Sequence, residues 1–180
     1  AGAGFEPHAT DGTPSNTVLL ADVNRPASSS APAQVRPLGS DVFFVANTDA
    51  NGREIHRTDG SAAGTTRIAA VQPGSFGSNP AAAVSVGNLV FFQADLFPAG
   101  QQLFVTDGSS TGTVQLTTQL PAVEPRGLCA LNGLVVFGAD GTNGREPWVS
   151  DGTVAGTFEL ADVRPGPGDS IGLLAENFTA

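Results

Sequence analysis

The sequence predicts an all-β protein, a β-propeller of about four blades, and three observations carry that expectation. The first is an internal repeat. Thr10-Asp11-Gly12-Thr13 returns as Thr58-Asp59-Gly60-Ser61, as Thr106-Asp107-Gly108-Ser109 and as Ser150-Asp151-Gly152-Thr153, with steps of 48, 48 and 44 residues between the aspartates. The second is that each unit holds four short runs of β-branched and aromatic residues, while no window shows a helical stripe. The third is turn chemistry. Gly39-Ser40, Gly87-Asn88 and Asn132-Gly133 separate paired runs by two residues, as tight hairpins require. Four strands in about 45 residues is the period of a propeller blade. A solenoid coil has a shorter period, and a sandwich does not repeat its own sequence.

The runs align from unit to unit. A Phe-rich strand is expected at Val42–Ala46, Leu89–Ala94 and Leu134–Ala139. A second strand follows at Arg53–Arg57, Gln101–Val105 and Arg145–Val149, and a third at Thr65–Val71, Thr113–Thr118 and Thr157–Val163. A weaker fourth covers Gln34–Leu38, Ala82–Val86 and Gly127–Leu131. The units run approximately over 5–52, 53–100, 101–144 and 145–180, in one repeat domain. Phe5-Glu6-Pro7-His8 reads as a second strand. Ser170–Ala180 reads as a fourth strand and the start of a Phe-rich one, Phe178-Thr179-Ala180. Joining the two would close the last blade and leave no open edge. The alternatives are a piece of a longer array, or a larger ring built by two chains.

Composition bounds the function. The chain has 180 residues, with 23 Gly and 13 Pro, 40% hydrophobic and 14% charged residues, and a net charge of -9. All eight basic residues are Arg. A nucleic-acid binder needs basic clusters, so that class is set aside. No apolar run approaches the ~18 residues of a membrane-crossing helix. The single Cys129 lies in the apolar run Leu128–Leu131 and excludes an internal disulfide.

Further positions recur with the aspartates. Glu6, Glu54, Gln102 and Glu146 stand five residues before them, and His8, His56, Phe104 and Trp148 three before. Gly64-Thr65, Gly112-Thr113 and Gly156-Thr157 follow, with Asn16-Thr17 in the first unit. The longest copy is Arg145-Glu146-Pro147-Trp148-Val149-Ser150-Asp151-Gly152-Thr153-Val154-Ala155-Gly156-Thr157, preceded by Asp140-Gly141-Thr142-Asn143-Gly144. It resembles the bacterial repeat family written Glu-Leu-Trp-x-x-Asp-Gly-Thr-x-x-Gly-Thr, and the resemblance spans Phe5 to Ala180. That family implies secreted or surface-attached proteins and supplies no catalytic residue. His8, His56 and Phe104 depart from its Trp, Gln102 from its Glu, and Pro7 and Pro147 from its Leu. Proline removes a ladder donor, so edge or bulged strands are expected there.

Site residues follow from what repeats and what does not. The repeated Asp11, Asp59, Asp107 and Asp151 are expected to fasten turns, because an Asp side chain accepts from N–H groups two residues on. Loops Asn47–Gly52, Asp95–Gly100 and Asp140–Gly144, with Asn24–Ala33, Gln72–Pro80, Gln119–Arg126 and Arg164–Asp169, vary between units and belong to one face. Asp49, Asn51 and Glu54, echoed by Asp140, Asn143 and Glu146, offer oxygens that could bind calcium, although the spacing also suits an ordinary turn. His8 and His56 could share a transition metal or occupy an aromatic packing slot. Arg53 and Arg145, each beside a Glu, could form ion pairs or bind sugar hydroxyls, with Trp148 stacking on a pyranose.

No nucleophile–base set and no pair of carboxylates in unlike surroundings emerges. The function expected is therefore non-enzymatic binding or adhesion outside the cytoplasm, with a glycan or a surface protein as partner and self-association possible. The candidate ligand-binding residues are Asp49, Asn51, Arg53, Asp140, Asn143, Arg145 and Trp148. The alternatives are an architectural subunit of a surface filament or layer, and a hydrolase acting on polysaccharide.

Overall fold

The computed structural model describes residues 4–24, 28–118 and 123–170. It is all-β, and a single 3-10 turn at Pro14–Asn16 is the one helical piece among the described residues. The first sheet pairs β1 (His8–Ala9) with β2 (Val18–Leu19). The second runs in the order β3 (Ala33–Leu38), β4 (Asp41–Thr48), β5 (Gly52–Thr58), β6 (Thr66–Ala69). The third repeats it with β7 (Ala81–Val86), β8 (Leu89–Leu96), β9 (Gly100–Thr106) and β10 (Val114–Gln115). The fourth does so with β11 (Arg126–Leu131), β12 (Leu134–Gly141), β13 (Gly144–Ser150) and β14 (Phe158–Glu159). Every pairing is antiparallel, as two-residue connections demand.

Strands β3, β7 and β11 lie side by side, so each sheet presents its first strand to its neighbours. Side chains join them: the Ala83 N–H donates to Gln34 at 3.1 Å, Arg36 donates to the Ala83 carbonyl at 2.7 Å, and Ser85 donates to the Pro37 carbonyl at 2.6 Å. Two cores fill the spaces between sheets. Phe43, Val45, Ile55 and Ile68 of the second sheet meet Val90, Phe92 and Phe104 of the third. Phe91, Leu103, Val105 and Leu116 of the third meet Val135, Phe137 and Trp148 of the fourth.

The last strand of each sheet is shorter than the sequence predicts. β6 stops at Ala69, and β10 and β14 hold two residues each. Beyond them the chain donates hydrogen bonds to Glu54, Gln102 and Glu146. Pro147 sits inside β13, an interior strand, and not at an edge. Its carbonyl accepts from Leu160, just past the two-residue pairing with β14, so no ladder donor is needed at that point. The expected first-sheet completion by residues 171–180 lies outside the described residues.

Candidate functional site

The repeated aspartates build one end of the molecule. Asp11, Asp59, Asp107 and Asp151 each accept at Oδ1 from the backbone N–H and the hydroxyl of Thr13, Ser61, Ser109 or Thr153, at 2.7–2.9 Å. Those hydroxyl donors hold all four carboxyls below the ordinary aspartate range. The second glycine of the motif is packed against the same oxygens. A Cβ on Gly64, Gly112 or Gly156 would fall 2.0–2.1 Å from the Asp Oδ1. In the first unit Asn16 replaces that glycine, and its Nδ2 donates to Asp11 instead, at 2.6 Å.

The repeated glutamates hold the other end. Glu6 accepts from the Val23 and Ser30 amides, both at 2.9 Å. Glu54, fully buried, accepts from the Val71 amide at 3.2 Å, the Gln72 amide at 3.3 Å and the Ser78 hydroxyl at 2.8 Å. Glu146 accepts from the Val163 amide and the Ser170 hydroxyl. Each carboxylate thus grips the chain on both sides of a variable loop. Burial raises the Glu54 carboxyl above the usual range, against the pull of its Ser78, Val71 and Gln72 donors. Glu54 is held by Val71, Gln72 and Ser78 and Glu146 by Val163 and Ser170, while Asp49, Asn51, Asp140 and Asn143 make contacts of their own. Among the described residues no three His, Cys, Asp or Glu side chains converge to hold a metal ion.

The remaining predicted residues are shared among separate tasks. The Asp49 amide donates to Asn24 Oδ1 at 2.8 Å, and Asn51 closes a turn on Thr48 at 3.1 Å. Arg53 donates to the Ala31 carbonyl at 3.3 Å, while its own carbonyl accepts from the Ser78 and Asn79 amides. Asn143 donates to Glu159 at 2.9 Å. Arg145, buried, makes ion pairs with Asp140 at 2.8 Å and Glu124 at 3.3 Å. Burial lifts the Asp140 carboxyl, against the opposing Arg145 charge. Of the predicted set, Asp140 and Arg145 are the pair brought into direct contact.

Position three before each Asp is an aromatic slot. His56 stacks on Phe44 at 5.3 Å, Phe104 on Phe92 at 5.7 Å, and Trp148 tilts against Phe137 at 6.4 Å. His56 Nδ1 donates to the Glu54 carbonyl at 3.1 Å, and burial lowers its pKa to about 4, so the ring is neutral at pH 7. Trp148 is 7% exposed, and a ring so covered has no face free for a pyranose. His8 Nδ1 likewise donates to the Glu6 carbonyl, at 2.9 Å.

Sequence reasoning missed the concave feature of the variable-loop end. A cavity of about 400 Å³ lies between Gln72, Phe76, Gly77, Asn79, Asp95 and Phe97. Phe76 and Phe97 are 90% and 85% exposed, whereas Phe43, Phe44, Phe91, Phe92 and Phe137 of the Phe-rich strands are buried. The floor is fixed by Asn79 donating to Asp95 at 3.2 Å and by the Phe97 amide donating to Gln72 at 2.9 Å. Gly77 lets the Phe76 loop lie on β5: its φ is 68°, and a Cβ there would stand 2.3 Å from the Arg53 amide nitrogen. The available signal was the pair of large apolar residues stranded in loops of Gly, Ser, Pro and Asp. No protein-family model matches the chain, and no curated protein is significantly similar to it in sequence.

Proposed function

We propose that the chain is a non-enzymatic binding module of the Glu-Leu-Trp-x-x-Asp-Gly-Thr repeat kind, its sheets the blades of a propeller, its variable-loop face the recognition surface. The ligand is a glycan or a surface protein outside the cytoplasm. The observation that supports this most is the cavity between Phe76 and Phe97. Two exposed rings are costly in water unless something covers them. Ring faces beside the amides of Gln72 and Asn79 and the carboxylate of Asp95 match the apolar faces and hydroxyl edges of a sugar. The repeated carboxylates are engaged in turns and loop clasps. Similar loop ends around an axis would add avidity to shallow sites.

The test is binding of the intact chain to glycan microarrays and to displayed surface proteins, with Phe76→Ala, Phe97→Ala and the double variant beside it. Loss of about tenfold in affinity on each single change is expected, at an unchanged melting temperature. Silence across both arrays, or binding indifferent to both rings, would sink the proposal.

A further inference from the structure

We infer that the cavity between Phe76 and Phe97 receives an arginine side chain of a protein partner, its guanidinium seated on Asp95. The inference rests on the reading of that cavity as the recognition surface, and it narrows the ligand. The fourth sheet supplies a template within the chain. There Arg145 lies opposite Asp140 across β12 and β13, and its guanidinium pairs with Asp140 at 2.8 Å and with Glu124 at 3.3 Å.

The third sheet repeats that frame without the cation. The Asp95 amide donates to the Ser78 carbonyl at 2.7 Å, as the Asp140 amide donates to the Val123 carbonyl at 2.8 Å, so the two aspartates hold equivalent places. Asn79 and Glu124, each one residue further on, share a positive φ of 46° and 43°. Opposite Asp95, however, stands Gln101 where the fourth sheet has Arg145. Among the described residues no Arg pairs with Asp95, and its side-chain partner is the Asn79 amide at 3.2 Å. The second sheet shows the converse. Arg53 lies opposite Asn47, with no carboxylate at either place, and donates to the Ala31 carbonyl. The third sheet thus keeps the carboxylate and lacks its guanidinium.

The surroundings suit that guest. Asn79 Nδ2 is spent on Asp95, and Gln72 Oε1 on the Phe97 amide. Asp95 Oδ1, Asn79 Oδ1 and Gln72 Nε2 remain, two acceptors (one of them charged) against one donor. A guanidinium only donates, whereas sugar hydroxyls bring donors and acceptors together. Its plane stacks on aromatic rings and its methylene stem covers apolar surface, which is what Phe76 and Phe97 offer. A volume of about 400 Å³ is small for a ligand pocket and has room for one such side chain. The net charge of -9 draws a basic partner from a distance.

The probe is N-acetyl-arginine amide, titrated into the full chain and followed by the amide resonances of Asn79 and Phe97. Saturable binding is expected, with a dissociation constant on the order of 1 mM. The uncharged citrulline analogue, of the same shape, should bind about tenfold more weakly or worse, and so should the arginine probe to Asp95→Asn at an unchanged melting temperature. Gln101→Arg, which supplies the guanidinium in the manner of Arg145, should abolish binding by filling the site. Equal binding of citrulline, equal binding by Asp95→Asn, or no shift at Asn79 and Phe97 would overturn the inference. So would tighter binding of a glucosamine oligomer, which would give the cavity to an amino-sugar glycan. Dimerisation abolished by Asp95→Asn would also overturn it, by giving the cavity to a second copy. Array binding that needs both rings but is indifferent to Asp95→Asn would sink the arginine and leave the recognition surface standing. Array binding indifferent to both rings would sink the two together.

Discussion

The second and third sheets share one topology and one register, yet they fix their loops with different chemistry. In the second, Glu54 receives two amides and the Ser78 hydroxyl. In the third, Gln102 stands in its place, and Val123 occupies the Ser78 position. Gln102 Oε1 accepts from the Thr117 hydroxyl at 2.6 Å and from Gln115 at 3.2 Å, and its Nε2 donates to the Ala99 carbonyl at 3.0 Å. The slot changes alongside, from His56 to Phe104. A buried acceptor is tolerated with or without charge, provided the surrounding donors change with it. The unit of conservation within this chain is thus a small network, not a residue.

The sharpest way to break that comparison is to put a charge where the donors are wrong. Gln102→Glu would turn a carboxylate oxygen toward the Ala99 carbonyl in a fully buried site. It is expected to cost about 4 kcal/mol at pH 7, measured by denaturant unfolding, with much of the loss regained near pH 4 as the new carboxyl protonates.

Next comes the slot. His56 is neutral when folded, with a pKa of about 4. As pH falls, the unfolded chain takes up a proton near 6.5 while the folded one does not. The His56 contribution is therefore complete above about 6.5 and is lost progressively down to about 4, by up to about 3 kcal/mol. His56→Phe, which copies Phe104, should flatten that part of the stability–pH curve while folding normally at pH 7. An unchanged slope would show that the imidazole is not the titrating group.

Removing charge where donors abound should cost less. Glu54→Gln sets an amide N–H₂ among the Val71, Gln72 and Ser78 donors, for a loss of about 2 kcal/mol. Adding Ala69→Thr and Ser78→Val, the third sheet's companions, should recover most of it. If the triple variant is no better than the single, the network account fails. The smallest effect tests what the two sheets have in common. Gly112→Ala presses a Cβ against Asp107 and should lower stability by about 1 kcal/mol, as should Gly64→Ala beside Asp59.

The architecture was legible because repetition amplifies weak signals. Val42–Ala46 alone is an ambiguous apolar run, but three aligned copies with two-residue turns admit one topology. The Asp-Gly-Thr motif could be read because its bonds are local, spanning two to five residues. Glu54 could not. Its partners are 17 to 24 residues away, and nothing in the sequence tells whether the side chain turns toward Asp49 or into the sheet. Proximity in sequence left an oxygen cluster at the loop beside an ordinary turn, and neither describes Glu54, whose carboxylate is held by the Val71 and Gln72 amides and the Ser78 hydroxyl. Phe76 and Phe97 lie within the variable loops Gln72–Pro80 and Asp95–Gly100, but they repeat nowhere, and nothing in the sequence around them tells whether a loop phenylalanine turns outward or folds back onto a sheet.

The double grip of Glu54 has an evolutionary consequence. With Val71 and Gln72 anchored on one shoulder and Ser78 on the other, the four residues before Gly77 can be exchanged or lengthened without disturbing the strands they connect, while Gly77 keeps its place against β5. The same scaffold can then present new apices to new targets, and segment 73–76 is where an engineer would graft one.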